Sequence, residues 1–278
     1  MKARPTDLPD FERPPLAEVA LSVQFEPIDG LGAARLGLLW STFRNRFPSV
    51  EEHPQLPPTF EDFQPPSPPK VEIVLEQKAP VPRLWFLNDP KTELIQVQPD
   101  RFIHNWRRLR DGEPYPHFEA IHESFVEELK LFEAFLRSEE LGRLKVNQCE
   151  LTYVNQIEPS AVWRHHGEVG QILRLWSPLL DASILGEPED VGMRIRYRIP
   201  GPGAEPIGRL NVFLEPGFKV ADHTPVYTLN LVARGKPLAE GIEGASAFFE
   251  LGRRWIVKGF SDLTGHRLQY DIWGKQPI

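Results

Sequence analysis

The sequence predicts an α+β protein of two similar halves, each a β-α-β-β-β-α unit whose antiparallel sheet is backed by a long helix. Three observations predict it. The order strand, helix, several strands, long amphipathic helix runs twice along the 278 residues. Each run opens on a segment with the two-residue period of a half-buried strand, and each closes on an apolar stripe with helical spacing. Proline and glycine clusters punctuate the strands between. The first half, residues 1–142, runs from the segment Ala17–Phe25 to a helix from Tyr115 to about Leu141. The second, residues 143–278, runs from Val146–Tyr153 to the stretch Ala245–Leu263.

In the opening strand Val19, Leu21, Val23 and Phe25 alternate with Ala20, Ser22 and Gln24. Pro27 and Gly30 end it. Leu31, Leu38, Leu39, Trp40, Phe43 and Phe47 then recur at three- and four-residue steps, so a helix follows and stops at Pro48. Residues 53–69 hold seven prolines. Proline has no backbone donor and a fixed φ, so this insert is expected to be extended, free of sheet, and pinned to the body by Phe60 and Phe63. Strands are expected at Val71–Glu76, Arg83–Leu87 and Glu93–Gln98, with Asn88-Asp89-Pro90 as a turn. Phe118, Ile121, Phe125, Leu129, Phe132 and Leu136 form the longest helical stripe, with Gly142 as its expected cap.

The second half reads as a strand through Tyr153, a short helix over Gly167–Trp176, and strands at Met193–Ile199, Arg209–Leu214 and Tyr227–Arg234. Phe248, Leu251, Trp255, Ile256, Phe260 and Leu263 mark the final helix. The tail Gln269–Trp273 reads as an edge strand or an irregular segment.

Composition narrows the function. At 41% hydrophobic and 26% charged the chain is globular. No apolar run reaches the roughly 18 residues of a membrane span, and residues 1–15 lack the apolar core of a secretory signal. A single cysteine, Cys149, rules out an internal disulfide and suits a reducing cytoplasm. The net charge of −7 discourages a nonspecific nucleic-acid or membrane binder. The first half carries a balance of −8 and the second +1, so the acidity belongs to the first.

Phosphate-loop, dinucleotide, nucleophile-elbow and zinc-protease motifs are absent. No cofactor and no metal is expected: His165 and His166 are adjacent and point apart, and His117 and His122 lie about 140° apart on their helix. Glu119 and Glu123 share a face that reads as solvated. Cys149 has no basic neighbour in sequence and reads as a small buried residue.

One constellation stands out. If Met193, Ile195, Tyr197 and Ile199 face the core, Arg194, Arg196 and Arg198 line the opposite face about 7 Å apart. Arg209 and Asn211 join them from the next strand, Asn230 and Arg234 from the one after, with Glu150 from the strand that opens the half. Five arginines against one glutamate make a basic surface in an acidic protein. Guanidinium forks suit carboxylate or phosphate, so the face fits an acidic protein partner, an anionic ligand or a nucleic-acid strand. Ordinary solvated charges are the plain alternative. So is neutralisation by the first half's polar face, which carries Glu18, Glu72, Glu76, Gln24, Gln96 and Gln98.

Several short motifs carry a resemblance. Pro14-Pro15-Leu16-Ala17-Glu18-Val19, Arg101-Phe102 with Asn105-Trp106, Tyr115-Pro116-x-Phe118, and Glu150-Leu151-Thr152-Tyr153-Val154-Asn155-x-Ile157 span most of the chain. In that order they resemble a sporadically distributed bacterial family of uncharacterised proteins of similar length. The resemblance implies no established activity. Patchy distribution implies mobile or defence-associated genes, and with them a regulator, immunity factor or antitoxin-like partner. Asn105 and Asn155, polar groups closing apolar strands, are the binding candidates among the motif residues.

The chain is therefore expected to bind a macromolecular partner, another protein or a second copy of itself, rather than to catalyse a reaction. A small-molecule sensor or enzyme with a pocket between sheet and helix, lined by Asn155, Tyr153 and Arg101, is the alternative. Nucleic-acid binding through the basic sheet face is a third reading.

Overall fold

The computed structural model describes residues 6–63, 81–110, 112–177, 184–203 and 205–277. Among these, nine strands form one continuous antiparallel sheet: β1 (Leu16–Phe25), β2 (Ser49–His53), β3 (Arg83–Leu87), β4 (Glu93–Gln98), β5 (Arg101–Arg107), β6 (Val146–Ile157), β7 (Met193–Pro200), β8 (Pro206–Phe218) and β9 (Pro225–Gly235). Their order is β2-β3-β4-β5-β1-β6-β9-β8-β7. The helices are α1 (Ala33–Phe43), α2 (His117–Ser138), a single turn α3 (Val169–Ile172) and α4 (Gly241–Leu263).

The expected α+β class holds, but the two expected sheets are one. The joint is the pairing of β1 with β6, in which Val19 faces Tyr153, Leu21 faces Leu151 and Val23 faces Cys149. Each of these strands also pairs on its other side, β1 with β5 and β6 with β9. Local periodicity cannot reveal such a joint, because β1 and β6 are separated by the whole first half.

All three longer helices cover one face of the sheet. Phe102 on β5 stacks on Phe132 of α2 with ring centroids 5.2 Å apart, and Phe43 of α1 packs on Phe86 of β3. Phe125 of α2 meets Phe249 of α4 edge-on at 5.1 Å, which joins the two halves of the core. Close approach of α4 needs missing side chains. A Cβ at Gly235 would lie 2.3 Å from the Ile207 carbonyl and 2.6 Å from the Phe248 ring, so glycine leaves the trough into which that ring fits.

Several local expectations are corrected. Helix α2 ends in a Schellman arrangement in which Glu140 takes the left-handed conformation (φ 54) and the Leu141 N–H reaches the Leu136 carbonyl at 2.8 Å. Gly142 follows that cap and does not make it. The helix expected over Gly167–Trp176 shortens to a turn at 166–168 and α3. Strand β2 lies just after Pro48, where the proline-rich composition hid it. The tail coils into one wide helical turn, Leu268–Ile272, held by the Gln269 side chain bonding Ser261 and Thr264. The expected strand Val71–Glu76 lies outside the described residues.

Cys149 is fully buried on the helix-covered face, and burial pushes its thiol well above its ordinary range. It is expected to react with a thiol reagent only as fast as the protein unfolds; rapid native-state labelling would contradict this packing. Gly235→Ala is expected to cost about 1–3 kcal/mol in chemical denaturation, the usual range for overpacking a tight core.

Candidate functional site

The sheet's other face is polar and can be followed strand by strand. Register partners run in one transverse row: Glu51, Trp85, Gln96, Ile103, Ser22, Glu150, Arg234, Arg209, Arg198. Three neighbouring strands thus bring Arg234, Arg209 and Arg198 side by side. Like charges directly opposite on a sheet repel, so this row needs counter-charge.

Two carboxylates supply it. Glu150 accepts a charge-assisted bond from Arg234 Nε. The second, Glu61, comes from the proline-rich insert. Its Oε2 lies 2.7 Å from Arg209 Nη1, and its Oε1 lies 2.9 Å from Asn211 Nδ2 and 3.2 Å from Arg234 Nη1. The Glu61 side chain is 6% exposed. Arg209 also donates to the Asp62 carbonyl at 2.8 Å and lies over the Phe63 ring, 4.4 Å from its centroid.

Residues 54–63 therefore form a strap laid across the polar face. The sheet holds its backbone with side chains. Gln98 donates to the Leu56 carbonyl and accepts from the Leu56 N–H, both at 2.9 Å. Arg101 donates to the Pro57 carbonyl at 3.0 Å and to Gln24 Oε1 at 2.7 Å, while Gln24 also accepts from the Thr59 N–H at 2.8 Å. Over its described residues 54–63 the insert is extended, as its prolines predict. Phe63 pins it through Arg209, but Phe60 is 58% exposed and does not.

The predicted site residues separate into groups. Arg209, Asn211 and Arg234 converge on Glu61. Arg194, Arg196 and Arg198 are exposed on the edge strand β7, with Arg194 stacked over Phe213. Asn230 is half-buried on the same face, and its Oδ1 has no hydrogen-bond partner among the described residues. Asn105 lies farther along that face, buried, accepting from Gln96 at 2.8 Å and donating to Glu18 at 2.5 Å. Asn155 points to the helix-covered side, where it donates to the Leu229 carbonyl at 3.0 Å. The sheet thus divides the expected pocket trio, with Tyr153 and Asn155 on one side and Arg101 on the other.

Tyr153 and Asn155 line a cleft of about 920 Å³ beside the start of α2. The hydroxyls of Tyr115 and Tyr153 are 3.2 Å apart there, and burial holds that of Tyr115 well above the ordinary phenol range. Arg253 in the wall bonds Glu119 at 2.5 Å, so Glu119 is engaged in an ion pair between α2 and α4 and is not the solvated residue expected. A second cleft of about 540 Å³ between those helices holds Ser246, whose Oγ is 3.0 Å from His122 Nε2.

Sequence reasoning missed two arrangements. Glu61 sits in a segment without periodicity; its one sequence signal is an acidic, aromatic cluster, Phe60 to Phe63, within a proline-rich run. On the helix side, buried His104 bonds Glu128 at 2.7 Å, and Arg46 bonds the other oxygen of Glu128 at 2.9 Å. His166 is buried and bonds the Val226 carbonyl, a structural role. Among the described residues no group of three or more His, Cys, Asp and Glu is placed to hold a metal ion. No helix among them is long and apolar enough to cross a membrane.

Fold and face together define a single-sheet α+β protein whose polar face is covered by its own strap. No protein-family model, curated protein or solved structure matches the chain.

Burial raises the carboxyl pKa of Glu18, against the bond from Asn105 and the charge of Arg107. A carboxyl raised on folding is harder to ionise in the native state, so its contribution favours folding at low pH and is lost as pH rises through the folded value. Glu18→Gln keeps the acceptor for Asn105 and removes the charge. Its melting temperature is expected to exceed that of the unsubstituted protein at neutral pH, with the difference closing below about pH 4.

Proposed function

We infer that this chain is a non-catalytic binding protein that engages an acidic segment of another protein through the arginine-bearing end of its sheet, β7 to β9. The observation that carries this reading is the uneven neutralisation of the row. Glu61 and Glu150 match Arg209 and Arg234, while Arg194, Arg196 and Arg198 stand exposed on an edge strand beside them. An acidic partner gains charge-assisted bonds there, and among the described strands β7 has a neighbour on one side only, β8. A role in regulation, including bacterial defence or mobile genes, is consistent with a module that binds without transforming its ligand.

The two halves read as variants of one plan, with four strands between the helices of the first, β2 to β5, and three in the second, β7 to β9. Supporting this, the strand that opens each half pairs with the last strand before the long helix, β1 with β5 and β6 with β9.

A second reading rests on the cleft of about 920 Å³, whose tyrosine pair and Asn155 offer convergent polar groups to a small molecule. Native mass spectrometry of gently purified protein separates the readings. A co-purifying polypeptide favours the first, a retained small mass favours the second, and a homodimer makes a second copy the partner.

The triple variant Arg194→Ala, Arg196→Ala, Arg198→Ala is expected to lose at least tenfold in capture of that polypeptide. Its melting temperature is expected within about 2 °C of the parent's, because exposed substitutions away from caps and cores cost little. Undiminished capture removes this surface from the function. Steep weakening of oligonucleotide binding with salt would instead mark the arginines as a phosphate track.

A further inference from the structure

We propose that the polar face of the sheet is a peptide-reading groove, and that its ligand is an extended, acidic, proline-containing segment of the partner protein, which displaces residues 54–63. This deepens the protein-binding reading above and rests on it.

The way the strap is held argues for this. Its bonds to the sheet are of two kinds, as in a bound peptide: backbone contacts that any extended segment can make, and side-chain contacts that select a sequence. Over Leu56-Pro57-Pro58-Thr59 the prolines have no N–H, and the two remaining N–H groups are both taken, by Gln98 and Gln24. Arg101 and Gln98 donate to the carbonyls of Pro57 and Leu56. Proline pre-orders such a segment, so little conformational entropy is lost on seating it.

Selection follows at fixed offsets. Four residues after Pro57 a carboxylate enters the fork of Arg209, Asn211 and Arg234, and two residues later an aromatic ring lies under Arg209. The preferred ligand is therefore two prolines, two unrestricted residues, a glutamate, one more residue and an aromatic. Phe60, the largest apolar side chain of the strap's unrestricted positions, projects into solvent. The described contacts of the strap are mainly polar, so it can lift without opening the apolar core on the far side of the sheet.

A tethered strap acts at an effective concentration in the millimolar range, so a ligand in trans must gain contacts that the strap lacks. Arg198 is the register partner of Arg209 and, with Arg196, is exposed, and neither side chain bonds any of the described residues. A partner segment with further acidic residues beyond its aromatic reaches them.

Fluorescence anisotropy tests the groove directly, using a labelled synthetic peptide of residues 54–63 extended at its C-terminus by four glutamates. Glu61→Lys turns the strap's anchor against Arg209 and Arg234 and is expected to tighten peptide binding at least tenfold over the unsubstituted protein. Adding Arg209→Ala and Arg234→Ala to that variant is expected to abolish the gain. No gain in Glu61→Lys, with native circular dichroism, overturns the groove, as does a gain that survives loss of both arginines. The partner-binding reading falls separately, by undiminished capture in the β7 triple variant.

Hydrogen exchange on the unsubstituted protein supplies a test that needs no variant to fold. The Leu56 and Thr59 amides are expected to exchange through a local opening, well ahead of β6 and β9. Exchange only on global unfolding would make the strap a fixed cover and overturn the proposal.

Discussion

The antiparallel pairing of β1 with β6 is the contact on which the rest of this structure depends. It converts the strands of two chain segments into one surface with two continuous faces. On one side it lets α2 and α4 meet over a shared core, with Phe125 against Phe249. On the other it puts Gln24, Arg101 and Gln98 of the first half on the same face as Arg209, Asn211 and Arg234 of the second. A strap anchored at both places has to cross this joint, and the Thr59–Gln24 bond lies on its path.

Charge then explains what the strap does for the fold. The second half's polar face concentrates arginine, and the acidic excess lies in the first half. Glu61 carries some of that excess across the joint to where it is needed. Its carboxylate is bonded by three side chains from two strands, and those strands hold Arg209 and Arg234 in adjacent register. Removing one member would leave a largely desolvated charge without its match, which costs far more than an exposed ion pair contributes. The edge arginines of β7 are exposed and keep their hydration.

Much of the secondary structure was legible in the sequence, because strands and helices leave local periods. Val19, Leu21 and Val23 alternate as a strand must, and Phe118 to Leu136 step as a helix must. The alternation of β7 placed Arg194, Arg196 and Arg198 on a common face, and Cys149 among buried residues. What escaped was non-local. Nothing in the residues around Leu21 names Leu151 as a partner, so one sheet read as two. Glu61 lies in a run whose prolines suppress every period, and the side chains that hold it come about 150 positions later. The division of Tyr153 and Asn155 from Arg101 escaped for a related reason: two residues can be sorted to opposite faces only once the sheet between them is known. Glu119 likewise reads as solvated until α4 brings Arg253 to it.

The same long-range joint has a consequence for how the molecule is made. Strand β1 leaves the ribosome before β6, and the edge that β6 will cover waits 130 residues by the register of Leu21 and Leu151. At about 5–20 residues per second that interval is on the order of ten seconds. During it an apolar, alternating strand presents an open edge in a nascent polypeptide, the form of exposure that invites wrong pairing. The strap waits longer still, since Glu61 meets Arg209 and Arg234 only after 148 and 173 further residues. Synthesis order thus delays closure of the polar face until nearly all of the sheet has been translated, and a chain halted between β6 and β8 would carry the strap with nothing to seat its carboxylate.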